Sequence, residues 1–275
     1  MITQELLNLV TALAKQAGLA IMEVYNRGQA IKVQTKSDHS PVTEADLAAH
    51  NIIEQGLREL TPTIPVLSEE SALAPYQERS NWTQYWLIDP LDGTKEFIRR
   101  SDEFTVNIAL IRNNEPVLGV VYLPAQEVSY FAAQGIGAFK QQGTQQEAIA
   151  TRSIQSIKDS QQELMVVASR HHGAEAVEQL LSRLEQKLTR CKTVNLGSSL
   201  KMCLIAEGKA DIYPRLAPTS EWDTAAAQAI LEMAGGMILA DDFSPLRYNT
   251  KENILNPHFY AVGDNEIDWR TIIND

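Results

Sequence analysis

The run from Phe104 to Lys140 restricts the fold more than any other part of the sequence. It reads FTVNIALIRNNEPVLGVVYLPAQEVSYFAAQGIGAFK, with alternating apolar residues, frequent β-branched residues, and RNNEP and LPAQE as turn signals. Alternation with a period of two indicates strands that bury one face, and short turns join antiparallel neighbours. The pattern therefore predicts an antiparallel meander.

Two helices and two strands are predicted before this meander. Apolar residues recur at three- and four-residue steps up to Gly28, which predicts a long amphipathic helix. Thr43 and Asp46 resemble a helix start leading into LAAHNIIEQGLREL. TPTIP then stops that helix, and VLSEE and YWLI read as strands.

After Lys140 the pattern changes to alternating strands and helices. A polar connection, QQGTQQEAIATRSIQSIKDSQQ, precedes the strands ELMVVAS, TRCKTVNL and ADIYPRL, which alternate with the helices AEAVEQLLSRLEQKL, SLKMCLIAEG and WDTAAAQAILEMAGG. The fold class is therefore mixed α and β. We expect one unit over 1–275 with an α+β half at about 1–150 and an α/β half at about 160–275.

Composition and charge exclude several function classes. A formal charge of −11 and a pI of about 5.0 argue against nonspecific nucleic-acid or anionic-membrane binding, which needs a basic face. Charged residues interrupt the apolar N-terminal segment, which predicts neither a signal peptide nor a membrane span. Cys191 and Cys203 form no disulfide framework and are expected to be packing residues in a reducing cytoplasm. Peripheral inner-membrane association stays open as an alternative location.

Acidic residues stand where predicted strands end or helices begin. Glu69 and Glu70 follow VLS, Asp89 and Asp92 follow YWLI, and Asp223 stands at the start of a predicted helix. Each alone fits an ordinary turn or helix cap. Together, acids at strand ends can converge on one crevice of an open sheet.

The Asp89 and Asp92 pair calls for a positive partner. Two carboxylates about 4 Å apart repel each other by about 4 kcal/mol at an effective dielectric of 20. An all-oxygen ligand set favours Mg²⁺ over Zn²⁺, and paired metal ions are common in phosphate hydrolysis. Gly93 and Thr94 follow at a predicted helix start, where main-chain N–H groups favour phosphate.

These segments resemble a known family. WLIDPLDGTKEFI is similar to the DPxDGT signature of the magnesium-dependent, lithium-sensitive phosphomonoesterases of the inositol monophosphatase superfamily, and EWDTAAAQAILEMAGG is similar to its second signature. VLSEES and SPVTEAD also match in the same order. The resemblance implies a layered αβαβα sandwich with mixed sheets, of the sugar phosphatase and inositol monophosphatase type, and an active site between the two halves.

The resemblance also implies roles for the acids. Glu69, Asp89 and the Leu91 carbonyl would hold one Mg²⁺, and Asp89, Asp92 and Asp223 a second. Glu70 would act through water on a third, weaker ion. The catalytic set comprises Glu69 together with Asp46 and Thr94, which match the pair that orients and deprotonates the attacking water, while Gly93 and Thr94 match the phosphate-binding N–H groups.

The segment GSSLKMCLIAEGKADIYPRL resembles the 3′(2′),5′-bisphosphate nucleotidase branch of that superfamily. Its Ser198, Lys201 and Arg215 match positions that face the second phosphate and the nucleoside, with Asp223 also in the substrate set. The implied substrate is a small phosphate ester, adenosine 3′,5′-bisphosphate, and its sulfated relative is a further candidate. Without the resemblance, Lys201 and Arg215 would read as solvated or salt-bridged residues.

Several alternatives stay open from the sequence. An inositol or sugar monophosphatase is the competing enzyme, and an inactive regulatory or interaction protein is the reading from another class. His171 and His172 follow a strand and suit either a solvated loop or a substrate contact. Glu221 is a further acid, next to Trp222, and the sequence leaves open whether Glu221 faces the pocket. The assembly is expected to be a monomer or a homodimer.

Overall fold

The computed structural model describes residues 2–27, 33–35, 41–168, 174–195 and 199–274. Near the N-terminus, α1 (Gln4–Asn26) and α2 (Glu44–Leu60) pack against each other, and the strands β1 (Val33–Thr35) and β2 (Pro41–Thr43) pair antiparallel between them. Both helix predictions are confirmed. The last turn of α1 is capped by Arg27, and Gly28, predicted to end this helix, lies outside the described residues.

α1 is the one helix within the described residues that is long and apolar enough to be a candidate membrane span. Half of its most apolar window is buried inside the protein. Leu7, Val10, Ala14, Ala17 and Ile21 are fully buried in one cluster with residues of the larger sheet. In this structure α1 therefore packs as a core helix.

The predicted meander is confirmed and extends in both directions along the chain. Within the described residues the larger sheet has the order β3 (Val66–Ser68), β4 (Gln84–Asp92), β5 (Thr105–Arg112), β6 (Glu115–Leu123), β7 (Val128–Ala133), β8 (Gly137–Gln142), β9 (Gln145–Ala148). β3 is parallel to β4, and the following neighbours are antiparallel. Two short helices, α3 (Tyr76–Arg79) and α4 (Thr94–Ile98), precede and follow β4. The segment predicted as a polar connection contains β9 instead of a bare linker.

The second sheet follows the same connection, which also contains α5 (Ile154–Asp159). Its strands and the surrounding helices are β10 (Leu164–Ala168), α6 (Ala174–Lys187), β11 (Cys191–Asn195), α7 (Leu200–Ala206), β12 (Ile212–Arg215), α8 (Ala225–Met233), β13 (Met237–Ala240), β14 (Phe259–Val262) and α9 (Trp269–Ile273). The described strands are ordered β11-β10-β12-β14-β13, with β14 antiparallel to both neighbours. The strand and helix alternation up to α8 is confirmed, whereas β13, β14 and α9 were not predicted.

The two sheets and the helices form the layers implied by the resemblance. α1 and α2 cover one face of the larger sheet, and α8 packs on β5, β6 and β7 from the other face. α7 packs on α8 and contacts β12 and β14 of the smaller sheet, and residues of α5, α6 and α9 share a cluster on that sheet. The mixed αβαβα arrangement is therefore confirmed, while the division into halves near residue 150 stays a prediction.

Candidate functional site

Parallel pairing brings two of the acidic segments to the same edge of the larger sheet. β3 and β4 run in the same direction, and the main-chain N–H of Glu69 donates to the carbonyl oxygen of Ile88 at 3.2 Å. Glu69 therefore lies beside Asp89. The prediction that the strand ends before Asp89 is wrong, because β4 continues to Asp92. A register shift between Asp89 and Asp92 accommodates Pro90, which has no N–H to donate.

The carboxylates at this edge act on one another. Burial raises the pKa of Asp89 well above its usual range, and the charges of Glu69, Asp92 and Asp223 raise it further. Burial likewise raises the pKa of Asp223 to about 8, with Asp92 as the next cause. Such crowding of acids is relieved by a divalent cation, and oxygen donors are those that Mg²⁺ prefers. The donor chemistry therefore fits Mg²⁺.

The arrangement of the acidic side chains was also compared with that of a metal site. Among the described residues, no three acidic, histidine or cysteine side chains are arranged so that they could already hold a metal ion. Glu70 lies at the same strand end, where its main-chain N–H donates to Ser68 Oγ at 3.2 Å.

Asp46 and Thr94 are joined by a hydrogen bond between their side chains. Asp46 is buried in the first turn of α2, where its Oδ2 accepts hydrogen bonds from the N–H and the hydroxyl of Thr43 at 2.8 and 2.6 Å. Its Oδ1 accepts the Thr94 hydroxyl at 3.1 Å. Burial raises the pKa of Asp46, while the bonds from Thr43 and Thr94 lower it in part. Thr94 begins α4 directly after Gly93, whose φ of +93° suits glycine.

A polar network that was not predicted holds Asp92. Its Oδ2 accepts the main-chain N–H of Ser199 at 2.7 Å. The Ser199 hydroxyl donates to Asn107 Oδ1 at 2.9 Å and lies 2.9 Å from the Thr105 hydroxyl. Thr105 and Asn107 are buried on β5 opposite the acids of β4. Their alternation in FTVN, on the strand that follows the acidic segment, is the sequence signal that could have indicated them.

A cavity of about 110 Å³ opens beside Asp92 and Asp223. Its volume suits a phosphate-sized group, because pockets for whole drug-sized ligands are typically about 300–1,000 Å³. The cavity contains both predicted substrate-binding cations, and its lining residues are Asp92, Ser199, Lys201, Met202, Tyr213, Arg215, Thr219, Asp223, Thr224 and Phe259.

The two cations of this cavity differ in their surroundings. Burial lowers the pKa of Lys201 to about 8, against the charge of Asp92, and its ammonium lies 5.3 Å from the centre of the Tyr213 ring. Arg215 ends β12, and its guanidinium donates to the carbonyl oxygens of Ala217 and Pro218 at 3.1 and 2.9 Å. Both side chains line the cavity, and the hydrogen bonds to Ala217 and Pro218 hold the Arg215 guanidinium in place.

Asp223 lies at the end of a 3₁₀ turn, Glu221–Asp223, and α8 begins two residues later at Ala225. The prediction that Asp223 opens this helix is therefore wrong. Its Oδ2 accepts the main-chain N–H of Ser220 at 2.9 Å, which closes the turn. Glu221 is fully buried and bonded to Asn249, so it does not line the cavity.

Three candidate site residues named from the sequence lie outside the described residues. They are Ser198, predicted to bind substrate, and His171 and His172. The other predicted site residues come from two parts of the chain. Asp46, Glu69, Glu70, Asp89, Leu91, Asp92, Gly93 and Thr94 belong to the N-terminal part, and Lys201, Arg215 and Asp223 to the C-terminal part.

The sequence is similar to those of known proteins along most of its length. The model of the inositol monophosphatase family matches residues 2–264. A relative from Escherichia coli K12, named 3′(2′),5′-bisphosphate nucleotidase CysQ, is 47% identical over 92% of this chain and 98% of its own length. A relative of the same name from Haemophilus influenzae is 40% identical over 98% of this chain and 97% of its own.

The fold is also similar to that of solved structures. CysQ from Bacteroides thetaiotaomicron, described as a bacterial member of the inositol monophosphatase family, superposes with a TM-score of 0.80. It is 41% identical, and the match covers 95% of this chain and 98% of that one. An inositol monophosphatase from Thermotoga maritima gives a TM-score of 0.73 at 24% identity over 98% and 97% of the two chains, which supports the fold alone.

Proposed function

This chain belongs to the inositol monophosphatase family, and we propose that it is a 3′(2′),5′-bisphosphate nucleotidase. It hydrolyses the 3′-phosphate of adenosine 3′,5′-bisphosphate to give AMP and phosphate, and it also acts on the sulfated relative of that nucleotide. The names of relatives 40–48% identical over most of the chain support this activity. The observation that carries it is one phosphate-sized cavity with Asp92 and Asp223 beside Lys201 and Arg215.

Members of this family are generally Mg²⁺-dependent. In our proposal Glu69, Asp89 and the Leu91 carbonyl hold one ion, and Asp89, Asp92 and Asp223 hold a second, with Glu70 acting through water on a third. The mutual effect of these carboxylates on the pKa of Asp89 supports this grouping. Bound Mg²⁺ would supply Lewis acidity toward the phosphate and make water acidic enough to react near neutral pH.

The pair of Asp46 and Thr94 takes the proton of the attacking water in this proposal. Because the Thr94 hydroxyl donates to Asp46 Oδ1, its oxygen keeps lone pairs that can accept a hydrogen bond from water. The proton can then pass through Thr94 to the carboxylate of Asp46, whose raised pKa suits a base. Glu69, which directly follows β3 and lies beside Asp89, completes the catalytic set in this proposal.

Substrate binding follows from the charges of the cavity. Lys201 and Arg215 bind the second phosphate of the nucleotide through charge-assisted hydrogen bonds, which a singly phosphorylated substrate would not need. Asp223 lies on that side of the cavity, and Ser198, outside the described residues, stays a predicted substrate contact. The N–H groups of Gly93 and Thr94 bind the phosphate that is removed. We place this site between the predicted halves, about 1–150 and about 160–275, of a monomer or homodimer.

We also propose a cytoplasmic location. Both cysteines are free, and Cys203 is buried, as expected for packing residues in a reducing compartment.

The test is phosphate release from two substrates assayed side by side. With Mg²⁺, adenosine 3′,5′-bisphosphate should be hydrolysed much faster than inositol 1-phosphate. The reverse ranking would favour an inositol or sugar monophosphatase on the same fold. Release from neither substrate across a range of Mg²⁺ concentrations would favour an inactive interaction protein.

A further inference from the structure

The turn that carries Asp223 is held in place by a buried polar network of residues that do not line the cavity. Oε2 of the buried Glu221 accepts the main-chain N–H of Asn249 at 2.9 Å. The Asn249 side chain binds Arg79 at both of its ends, because Nδ2 donates to the Arg79 carbonyl oxygen at 2.6 Å and Oδ1 accepts from the guanidinium. The network thus joins three distant segments: α3, the turn and the loop after β13.

Oppositely charged side chains also lie within this network. Arg79 is 2% exposed, and its guanidinium also donates to the carbonyl oxygens of Lys251 and Glu252. The ammonium of Lys251 lies 3.8 Å from Glu221 Oε1. Burial raises the pKa of Glu221 to about 7, and the charges of Lys251 and Arg79 oppose that rise. A buried charge requires such compensation, so the cations and the acid hold each other in place.

The loop also forms hydrogen bonds with the turn before, at and after Glu221. The main-chain N–H of Glu221 donates to the Ile254 carbonyl oxygen at 2.9 Å. The Asn256 amide donates to the Ser220 carbonyl oxygen at 2.9 Å and to Thr224 Oγ1 at 3.0 Å. These bonds leave the turn little freedom, and Asp223 faces the cavity from its end.

We propose that Glu221, Asn249 and Arg79 are positioning residues that hold Asp223 in the orientation in which it binds Mg²⁺. The inference rests on the proposed function, in which Asp223 is an Mg²⁺ ligand. Glu221 does not itself reach the cavity and acts through the turn. Residues that orient metal ligands typically affect metal affinity by about 10–100-fold.

The test measures the binding of Mg²⁺ alone to the full chain by titration calorimetry. Glu221→Ala should lower the affinity for Mg²⁺ about tenfold at the site to which Asp223 contributes. Asp223→Asn gives the reference loss. Adding Glu221→Ala to Asp223→Asn should cause no further weakening, because both changes then act on the same ligand.

Asp211→Ala is the matched control. Asp211 is also a buried acid, and it accepts hydrogen bonds from Arg152 at 2.6 and 3.0 Å and from the main-chain N–H of Met165 at 2.6 Å. It immediately precedes β12, whereas Arg215, at the end of that strand, lines the cavity. Its loss should lower Tm but leave Mg²⁺ affinity unchanged.

The outcomes separate the inference from the proposed function. A lower Tm with unchanged Mg²⁺ affinity in Glu221→Ala, while Asp223→Asn does weaken binding, overturns the positioning role. Unchanged affinity in Asp223→Asn overturns the ligand assignment itself. If Glu221→Ala does not fold, Asn249→Gly takes its place, because glycine tolerates the φ of +56° at this position and keeps the N–H that Glu221 accepts. This variant loses the two side-chain hydrogen bonds to Arg79, so weaker Mg²⁺ binding is expected, and unchanged affinity overturns the proposal.

Discussion

The hydroxyl of Thr94 donates a hydrogen bond of 3.1 Å to Oδ1 of Asp46, across 48 residues of sequence. The capping box of α2 fixes the other carboxylate oxygen, since Oδ2 accepts two hydrogen bonds from Thr43. One oxygen of Asp46 is thus structural, and the other is directed to Thr94. The cap of a helix therefore places the acid that our proposal uses as a base.

Thr94→Val tests this relation with little change of shape. The variant removes the hydroxyl that links water to Asp46, so kcat should fall by about 10²-fold or more, as expected for the loss of general-base catalysis. Tm should change little, because Thr94 is only partly buried. The measurement is steady-state phosphate release at saturating Mg²⁺.

Thr11→Val is the control for that comparison. Its hydroxyl donates to the Leu7 carbonyl oxygen inside α1, and it takes no part in the site. It should keep kcat. Near-normal turnover in Thr94→Val would contradict the role proposed for Thr94.

Asp89→Asn should raise the Tm of the metal-free protein while abolishing activity. Asp89 is buried, and three neighbouring carboxylates disfavour its charge. An asparagine removes that repulsion, and its carbonyl oxygen can still accept the Leu91 N–H that now bonds Oδ1 at 3.1 Å. Differential scanning calorimetry with a chelator checks the sign of the change.

Addition of Mg²⁺ provides the complementary result. It should raise the Tm of the native sequence, because binding to the folded state stabilises that state. The same addition should raise the Tm of Asp89→Asn much less. A lower Tm for the metal-free variant, together with an undiminished response to Mg²⁺, would contradict the grouping of these acids around an ion.

The sequence predicted the elements with strong periodicity and missed those that depend on tertiary partners. α1, α2 and the meander have clear periods of 3.6 and 2, so they were predictable. β13 and β14 are four-residue apolar segments without alternation, and they form by pairing with each other and with β12. The extension of β4 through Pro90 was missed because proline ordinarily interrupts a ladder.

The site shows the same division. The acids of the candidate site were predicted from motifs and from their positions at strand ends, whereas the buried residues that hydrogen-bond around them were not predicted. Charged residues are normally exposed, so nothing in the sequence indicated that Arg79 and Glu221 are buried. Arg79 and its partner Asn249 are 170 residues apart, and only the folded chain brings them together.

Lys201 should give the hydrolysis of the nucleotide a pH limit. Burial lowers its pKa from 10.5 to about 8, so the free enzyme keeps the ammonium below that pH and loses it above. Its attraction for a second phosphate should therefore weaken as pH rises through about 8, and kcat/KM should fall. In Lys201→Arg the guanidinium stays charged, and this fall should disappear. An identical pH profile in both proteins would contradict the assignment.

Lys201→Ala should separate the two substrate classes. Loss of a charge-assisted hydrogen bond of about 1.5–3 kcal/mol predicts a fall in kcat/KM of about 10–100-fold for adenosine 3′,5′-bisphosphate. Inositol 1-phosphate has no second phosphate, so its own slow rate should change little. Equal losses for both substrates would show that Lys201 does not bind the second phosphate.

Gly119→Ala should destabilise the protein by disturbing the helix that follows Asp223. A Cβ at Gly119 would overlap the Ala226 carbonyl oxygen and lie 2.8 Å from Ala229 Cβ, both on α8. Forcing a methyl group into a packed core costs about 1–3 kcal/mol. Gly263→Ala is the matched control, because its nearest neighbour, Ile205 Cγ2, would lie at 3.3 Å. Urea unfolding should show a much larger loss for Gly119→Ala, and equal losses would mean that α8 shifts at little cost.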